Sequence, residues 1–349
     1  MGLKIVGLET RTGHVTASER GFAHRGKRLI FHGATIYPYC EIGETVVRGS
    51  GWSDPAFTRC IDHTLSLAAQ GNLNAVRAVD FLEGTDDPYN TTVWRNVDYL
   101  FSRAAAHNIY VVLDLSTYRN MLGSRGAMPY DASRWSGFVR FVGRRYAARE
   151  NLLYYAIAGE PEAPNGGDPL KPTVAQLTAF YREAADRLRA ADANHLISTG
   201  GLLYLDWNSG IDWRTIFGLP NISLASVHVY SGGDRSMMPA VASWARTNNK
   251  PFVNEEFGFE QGMGDRARAE AFRDVYEHSR AGNAAGVIFW NLGAEIGPWS
   301  QDVGPQTPMT WETVRDNAPG RCRGASPSAT SMVDMYQEAS IHELRGGAR

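Results

Sequence analysis

The chain has 349 residues, with 35 Lys and Arg against 37 Asp and Glu, a formal net charge of −2, and 43% apolar residues. That balance, without any run of Lys or Arg, argues against nucleic acid or an anionic membrane as a partner and for a globular core. Three cysteines (Cys40, Cys60, Cys322) show neither Cys-x-x-Cys nor Cys/His zinc spacing, so no metal is indicated, and one stays unpaired whatever the connectivity.

The first residues, Met1-Gly2-Leu3-Lys4-Ile5-Val6-Gly7, lack the apolar core of a signal peptide, and no window reaches membrane-span length. Two locations remain open: cytoplasmic, or secreted after loss of a signal peptide. Residues 1 to 27 read as an N-terminal hairpin, with the polar turn Arg25-Gly26-Lys27 ahead of Leu29-Ile30-Phe31. From there, short β runs alternate with amphipathic stretches. The β runs cover 28–34, 74–79, 109–114, 153–158, 195–199, 223–228, 251–255 and 286–290. Apolar residues at three-and-four spacing predict helices near 58–70, 92–107, 131–148, 173–191, 236–248 and 266–282, with a weak one at 211–217. Asp131-Ala132-Ser133 and Pro172-Thr173 read as helix starts, and Gly71 and Gly282 as stops. A polar linker after Arg321 and a last helix near 327–344 end the chain. Eight β runs with helices between them, over roughly 290 residues, predict an α/β fold with a parallel sheet, most economically a closed (β/α)8 TIM barrel forming a single domain. No Gly-x-Gly-x-x-Gly follows the first strand, so dinucleotide binding finds no support.

Two glutamates stand out. Glu160 follows the apolar run Leu152–Gly159, and Glu255-Glu256 follow Pro251-Phe252-Val253-Asn254. An unpaired carboxylate at the end of a buried strand costs several kcal/mol, so an ordinary core would not place one there. Barrels carry their chemistry at the C-terminal ends of strands. Reading those ends in turn gives Arg77, Asp114, Glu160, His228 with Tyr230, Glu255 with Glu256, and Trp290. Paired carboxylates fit glycoside hydrolysis, where one protonates the leaving oxygen and the other attacks or activates water. The fourth and seventh strands lie on opposite sides of the barrel, so their terminal carboxylates face each other. A separation of about 5–5.5 Å predicts retention through a covalent intermediate, and a wider gap inversion. Arg77 is placed to keep the nucleophile ionised, its alternative being a rim ion pair with Asp80 or Asp114. Pro161 fixes the chain at the strand exit. Tyr37, Tyr39, Trp52, Tyr118, Trp207 and Trp299 are candidate sugar platforms, and the long stretches 39–55 and 200–210 are candidate covers for subsites.

These pieces together resemble glycoside hydrolase family 5 and its relatives in clan A, the retaining (β/α)8 glycosidases. Phe31-His32-Gly33-Ala34-Thr35-Ile36-Tyr37-Pro38 resembles the family's first-strand opening, and Asn74-Ala75-Val76-Arg77 its second-strand arginine motif. Gly159-Glu160-Pro161 is similar to the Asn-Glu-Pro acid/base signature, His228-Val229-Tyr230 to the His-x-Tyr pair, Glu256-Phe257-Gly258 to the nucleophile motif, and Phe289-Trp290-Asn291 to the last-strand tryptophan. The resemblance implies Glu160 as acid/base and Glu256, rather than Glu255, as nucleophile. Tyr230 and Arg77 would bond the nucleophile, His228 would line the acid/base side, and Trp290 would form the floor under the sugar. It implies a carbohydrate substrate, β-mannan or β-glucan by default, with no cofactor or metal. The chain departs from the pattern at Gly159, where the family has Asn, and at Asp114-Leu115-Ser116, where many members carry a His. An atypical sugar such as a furanose, or a contact supplied instead by Asn120 or Asn291, accommodates those departures. A silent carbohydrate-binding barrel and a metal-dependent barrel hydrolase are the readings from other classes.

Overall fold

The structure, a computed structural model, describes residues 13–37, 40–42, 45–47, 51–162, 170–202 and 210–318. The final linker and helix read from the sequence, residues 1–12, Tyr39 and Trp207 lie outside them, as do 43–44 and 48–50 of the first candidate covering stretch and 203–209 of the second. Eight parallel strands form the centre: β1 (Phe31–Ile36), β2 (Ala75–Ala78), β3 (Tyr110–Asp114), β4 (Leu152–Ala156), β5 (Leu196–Ser198), β6 (Ala225–His228), β7 (Phe252–Glu256) and β8 (Gly286–Phe289). They are hydrogen-bonded in the order β5-β4-β3-β2-β1-β8-β7-β6, and a parallel bridge between Leu202 and Val227 joins the two ends. The molecule is therefore a (β/α)8 barrel. Around it run α1 (Thr58–Gln70), α2 (Thr91–Ala106), α3 (Ser116–Ser124), α4 (Ala132–Tyr146), α5 (Val174–Ala191), α6 (Trp213–Phe217), α7 (Gly232–Thr247), α8 (Asp265–Ala281) and α9 (Pro308–Asp316). Among the described residues no helix is long and apolar enough to cross a membrane.

The helix ends follow local chemistry. Asp131 caps α4 by accepting from Ser133 N, and Thr173 caps α5 in a capping box with Gln176. Gly71 and Gly282 end α1 and α8, but the left-handed residue that reverses the chain is in each case the next one, Asn72 or Asn283. Two boundaries differ from the sequence reading. The predicted strand 28–34 is two elements. Lys27–Leu29 pairs with Gly21–His24, and that strand with Thr16–Ser18, in a three-stranded antiparallel sheet, whereas β1 begins at Phe31. The second difference is the pair of helices α3 and α9, which the sequence reading did not contain.

Strand alternation sorts the barrel into two packed layers. Ala34, Val76, Ala78, Leu113 and Tyr155 join the helix-facing core, while Phe31, Ala75, Val112, Tyr154 and Ile288 pack with each other inside the barrel. Phe22 from the N-terminal sheet packs at a tilt against Phe31, 5.4 Å between ring centroids, and, with Val15, stops that end of the lumen. Gly286 is dictated by this packing, because a Cβ there would stand 2.0 Å from the Phe31 ring. The lumen is thus apolar below, and its polar groups collect at the opposite end.

Candidate active site

The same alternation that puts Ala75 inside puts Arg77 inside, two residues closer to the strand's C-terminal end. Asp114 follows Val112 in the same way on β3. Arg77 Nε donates to Asp114 Oδ2 at 2.8 Å, and its Nη1 donates to Glu256 Oε2. Of its two candidate partners, the arginine thus bonds Asp114. Tyr230 OH donates to the other oxygen of Glu256 at 2.7 Å. Asp114 Oδ1 accepts from Ser116 N, so the aspartate is committed to the frame and acts through Arg77.

On β7, two consecutive glutamates reach the lumen side because the pairing slips. Val227 lies opposite Asn254 but His228 lies opposite Glu256, one extra residue on β7. Such bulges re-aim side chains beside active sites. Glu255 sits deepest, fully buried, with Ser198 Oγ donating to its Oε2 at 2.9 Å. Burial pushes its carboxyl above the usual carboxylate range, Arg77 opposing. Glu256 instead lines the open cavity.

Beyond β4 the chain runs on beside β5, with Ala158 N donating to Thr199 O (2.8 Å) and Glu160 N to Gly201 O (2.9 Å). The special backbone conformation falls on Glu160, at φ 47°, rather than on Gly159. His228 Nδ1 lies 3.0 Å from Glu160 Oε1 and 3.7 Å from Glu256 Oε1. One ligating atom from each of Glu160, His228 and Glu256 lies within 4.8 Å of the others. Burial works to raise the Glu160 carboxyl, but the bond and charge of His228, with Arg77 and Arg119, bring it below its ordinary value. Burial works to lower His228, yet Glu256 and Glu160 together raise it.

These groups, with Gly159, Ser116, Arg119, Asn120, Asp80, Gln301 and Trp290, line a cavity of about 360 Å³. Tyr37 lines a second cavity next to it and meets Trp290 edge-on at 5.4 Å. Four aromatic or amide candidates fall elsewhere. Trp52 is buried among Phe57 and Phe81, and Tyr118 stacks on Phe138, so both are core residues and not platforms. Asn291 is buried and bonds Asp302, and Trp299 is 78% exposed on the loop after β8; neither lines the cavity. Asp80, Ser116, Arg119 and Gln301 went unread as site residues. Only Asp80 carried a signal, as an acid three residues past Arg77.

Gly159 is explained sterically. A Cβ there would lie 2.2 Å from the carbonyl oxygen of Gly200, so no side chain fits at the position where the resemblance expects Asn. Gly159→Asn is expected to destabilise the fold by about 2 kcal/mol or more through overpacking against backbone, read as a lowered melting temperature. A variant that melts with the parent would show that the Gly200 segment yields.

Two carboxylates across a small cavity are what glycoside hydrolysis requires, and fold and pairing place the molecule among the glycoside hydrolases. More narrowly, the family model described as Cellulase (glycosyl hydrolase family 5) matches residues 37–295, and the chain belongs to that family. The mannan endo-1,4-beta-mannosidase 7 of Arabidopsis thaliana is 21% identical over 309 residues, which span 69% of this chain and 70% of that one. The mannan endo-1,4-beta-mannosidase 8 of Oryza sativa subsp. japonica is 23% identical over 342 residues, 77% of this chain and 88% of that one. Among solved structures, the endo-1,4-beta-mannanase of Rhizomucor miehei superposes with a TM-score of 0.69 at 17% identity, over 88% of this chain and all of the other.

Proposed function

We propose that the protein is a retaining β-glycosidase acting on mannan- or glucan-type chains, with Glu256 as nucleophile and Glu160 as acid/base. The observation that carries this is the approach of the Glu160, His228 and Glu256 ligating atoms within 4.8 Å, with Arg77 and Tyr230 bonded to Glu256. Nearest oxygens this close support direct attack, for which carboxyls stand about 5–5.5 Å apart, over a separation of about 6.5–9.5 Å that leaves room for an intervening water. Glu256 attacks the anomeric carbon as Glu160 gives its proton to the departing oxygen. The sugar is left as an ester on Glu256. Glu160, now ionised, takes a proton from water, which attacks the same carbon and releases Glu256. Trp290 supplies the apolar floor. The mannan preference rests on the named activity of the relatives. The closed-off Gly159 supports a second reading, an atypical glycoside such as a furanoside at the reacting position. A panel of aryl pyranosides and furanosides, with β-mannan and β-glucan, separates the two. The anomer first formed, followed by NMR, tests retention; first release of the inverted sugar would overturn it. The disulfide at Cys60 supports passage through an oxidising compartment.

His228 Nδ1 lies 3.0 Å from Glu160 Oε1, and the two share one proton, Glu256 and Glu160 raising the histidine and His228 lowering the carboxyl. Loss of that proton removes the acid, so kcat/KM falls on the alkaline side as pH passes the raised histidine value. His228→Gln leaves Glu160 with its own proton only, which a carboxyl loses at lower pH. The alkaline limb of the pH profile is therefore expected to move to lower pH, and an unmoved limb would refute the sharing.

A further inference from the structure

Seven non-glycine residues among those described have positive φ. Arg25 turns a hairpin, and Asn72, Asn108, Asn249 and Asn283 each stand two residues past the end of a helix, where a left-handed Asn is ordinary. The two left over are Glu160 and Asp80, both at φ 47° and both just past a barrel strand. Asp80 opens a turn, Glu83 N donating to its carbonyl at 2.9 Å, and non-glycine residues held in the left-handed region collect at functional sites.

Asp80 sits where two cavities meet. It lines the catalytic cavity and also a neighbouring one of about 590 Å³, bounded by Tyr37, Leu82, Glu83, Thr117 and Met121. Asn120 lines both as well. Asn120 Nδ2 donates to Asp80 Oδ1 at 2.9 Å, and its Oδ1 accepts from Arg119 Nη2 at 2.9 Å. Arg119 Nη1 in turn donates to the carbonyls of Gly159 and Glu160. A hydrogen-bonded chain thus ties Asp80 to the backbone of the acid/base. None of the described residues bonds Asp80 Oδ2. Burial, and then the charge of Asp114, push the carboxyl up to about 6, so it accepts at neutral pH and takes up a proton in mildly acidic solution. Position 159 has no room for a side chain that could read a hydroxyl, whereas Asp80 stands on the rim with an uncommitted oxygen.

We propose that Asp80, positioned by Asn120, is a substrate-binding residue that hydrogen-bonds a β-linked hexose chain where it passes from the catalytic cavity into the neighbouring one. This rests on the glycosidase reading for the identity of the ligand. The neighbouring cavity is of ligand size and then seats further sugar units. Asn120 holds the carboxyl and Arg119 fixes its distance from Glu160, so the register of the chain relative to the acid/base is set by the protein frame.

The test uses the full chain carrying Glu256→Ala, which does not consume the probe, and titration calorimetry with β-1,4-mannohexaose and cellohexaose. Asp80→Gly removes only the carboxyl, because glycine takes φ 47° without strain. It is expected to weaken the better-bound hexasaccharide by on the order of tenfold or more, as loss of a bond to a charged group does. Asp80→Asn tolerates the left-handed backbone and keeps a hydrogen-bonding group, and is expected to retain most of the affinity. In the Glu256-intact enzyme the Gly variant should raise KM on oligosaccharides by a larger factor than it lowers kcat. Unchanged affinity in a folded Asp80→Gly protein, or no binding of either hexasaccharide by the parent, overturns the proposal. A parent that binds the hexasaccharide through Asp80 but never cleaves any glycoside sinks the glycosidase reading instead and leaves this one standing.

Discussion

Glu256→Ala is expected to lower kcat by on the order of 10⁵-fold, the scale on which removal of a covalent nucleophile acts. The same protein should regain part of its turnover in azide. The argument is geometric. Glu256 is held from both sides, by Arg77 on one oxygen and Tyr230 on the other, at the edge of the cavity. Truncation to alanine leaves a carboxylate-sized space lined by the same two donors, which a small anion can fill. Azide then attacks from the face Glu256 used, and the product is a glycosyl azide of inverted anomeric configuration. Glu160→Ala is expected to behave differently. A leaving group that departs without protonation, such as a dinitrophenolate, should still be displaced by Glu256, while natural linkages fail. Near-parental turnover by Glu256→Ala without azide would remove the nucleophile assignment. Loss of turnover with no rescue, in a folded protein, would point to a water-mediated role for Glu256.

The barrel was legible because eight β runs alternate with helical periodicity, and because a strand's parity carries from the core to the rim. Ala75 inside implies Arg77 inside, and Val112 implies Asp114. What parity could not supply was the slip in β6–β7 pairing that brings Glu255 and Glu256 to the same side, since a bulge leaves no mark in composition. The resemblance, not periodicity, chose between the two glutamates. Helix α3 was missed for a different reason. Its sequence Ser116-Thr-Tyr-Arg-Asn-Met-Leu-Gly-Ser124 is rich in weak helix formers, and the helix is held by its setting rather than by propensity. Arg119 was missed with it, whereas Asn120 was read as a candidate sugar contact without the helix that carries it. Two aromatic candidates, Trp52 and Tyr118, failed most simply, because sequence gives no depth: both are buried in the helix-facing core.

Arg77→Met is expected to be the most damaging change to the fold, at about 3–5 kcal/mol, the cost of breaking a buried ion pair by removing one partner. Arg77 is 3% exposed, and the carboxylates around it are no better solvated: Asp114 at 1%, Glu255 at 0% and Glu256 at 6%. One guanidinium stands among three buried acids. Burial raises the Glu255 carboxyl, which eases part of that imbalance, but Asp114 and Glu256 both bond the arginine directly. Met fills a similar volume, leaves Asp114 without a cation and leaves Glu256 with His228 alone, 3.7 Å away. Arg77→Lys should recover little, because an ammonium is a point charge and cannot fork between two carboxylates. The informative comparison is Arg77→Met combined with Asp114→Asn. If Asp114 is bound into the frame chiefly through Arg77, the double variant should lose clearly less stability than the two single changes summed, by chemical denaturation. Its turnover should stay as low as that of Arg77→Met, since Glu256 still lacks its partner. Additive losses would mean that Asp114 is held by the Ser116 amide and the strand alone, and that Arg77 belongs to the nucleophile and not to the frame.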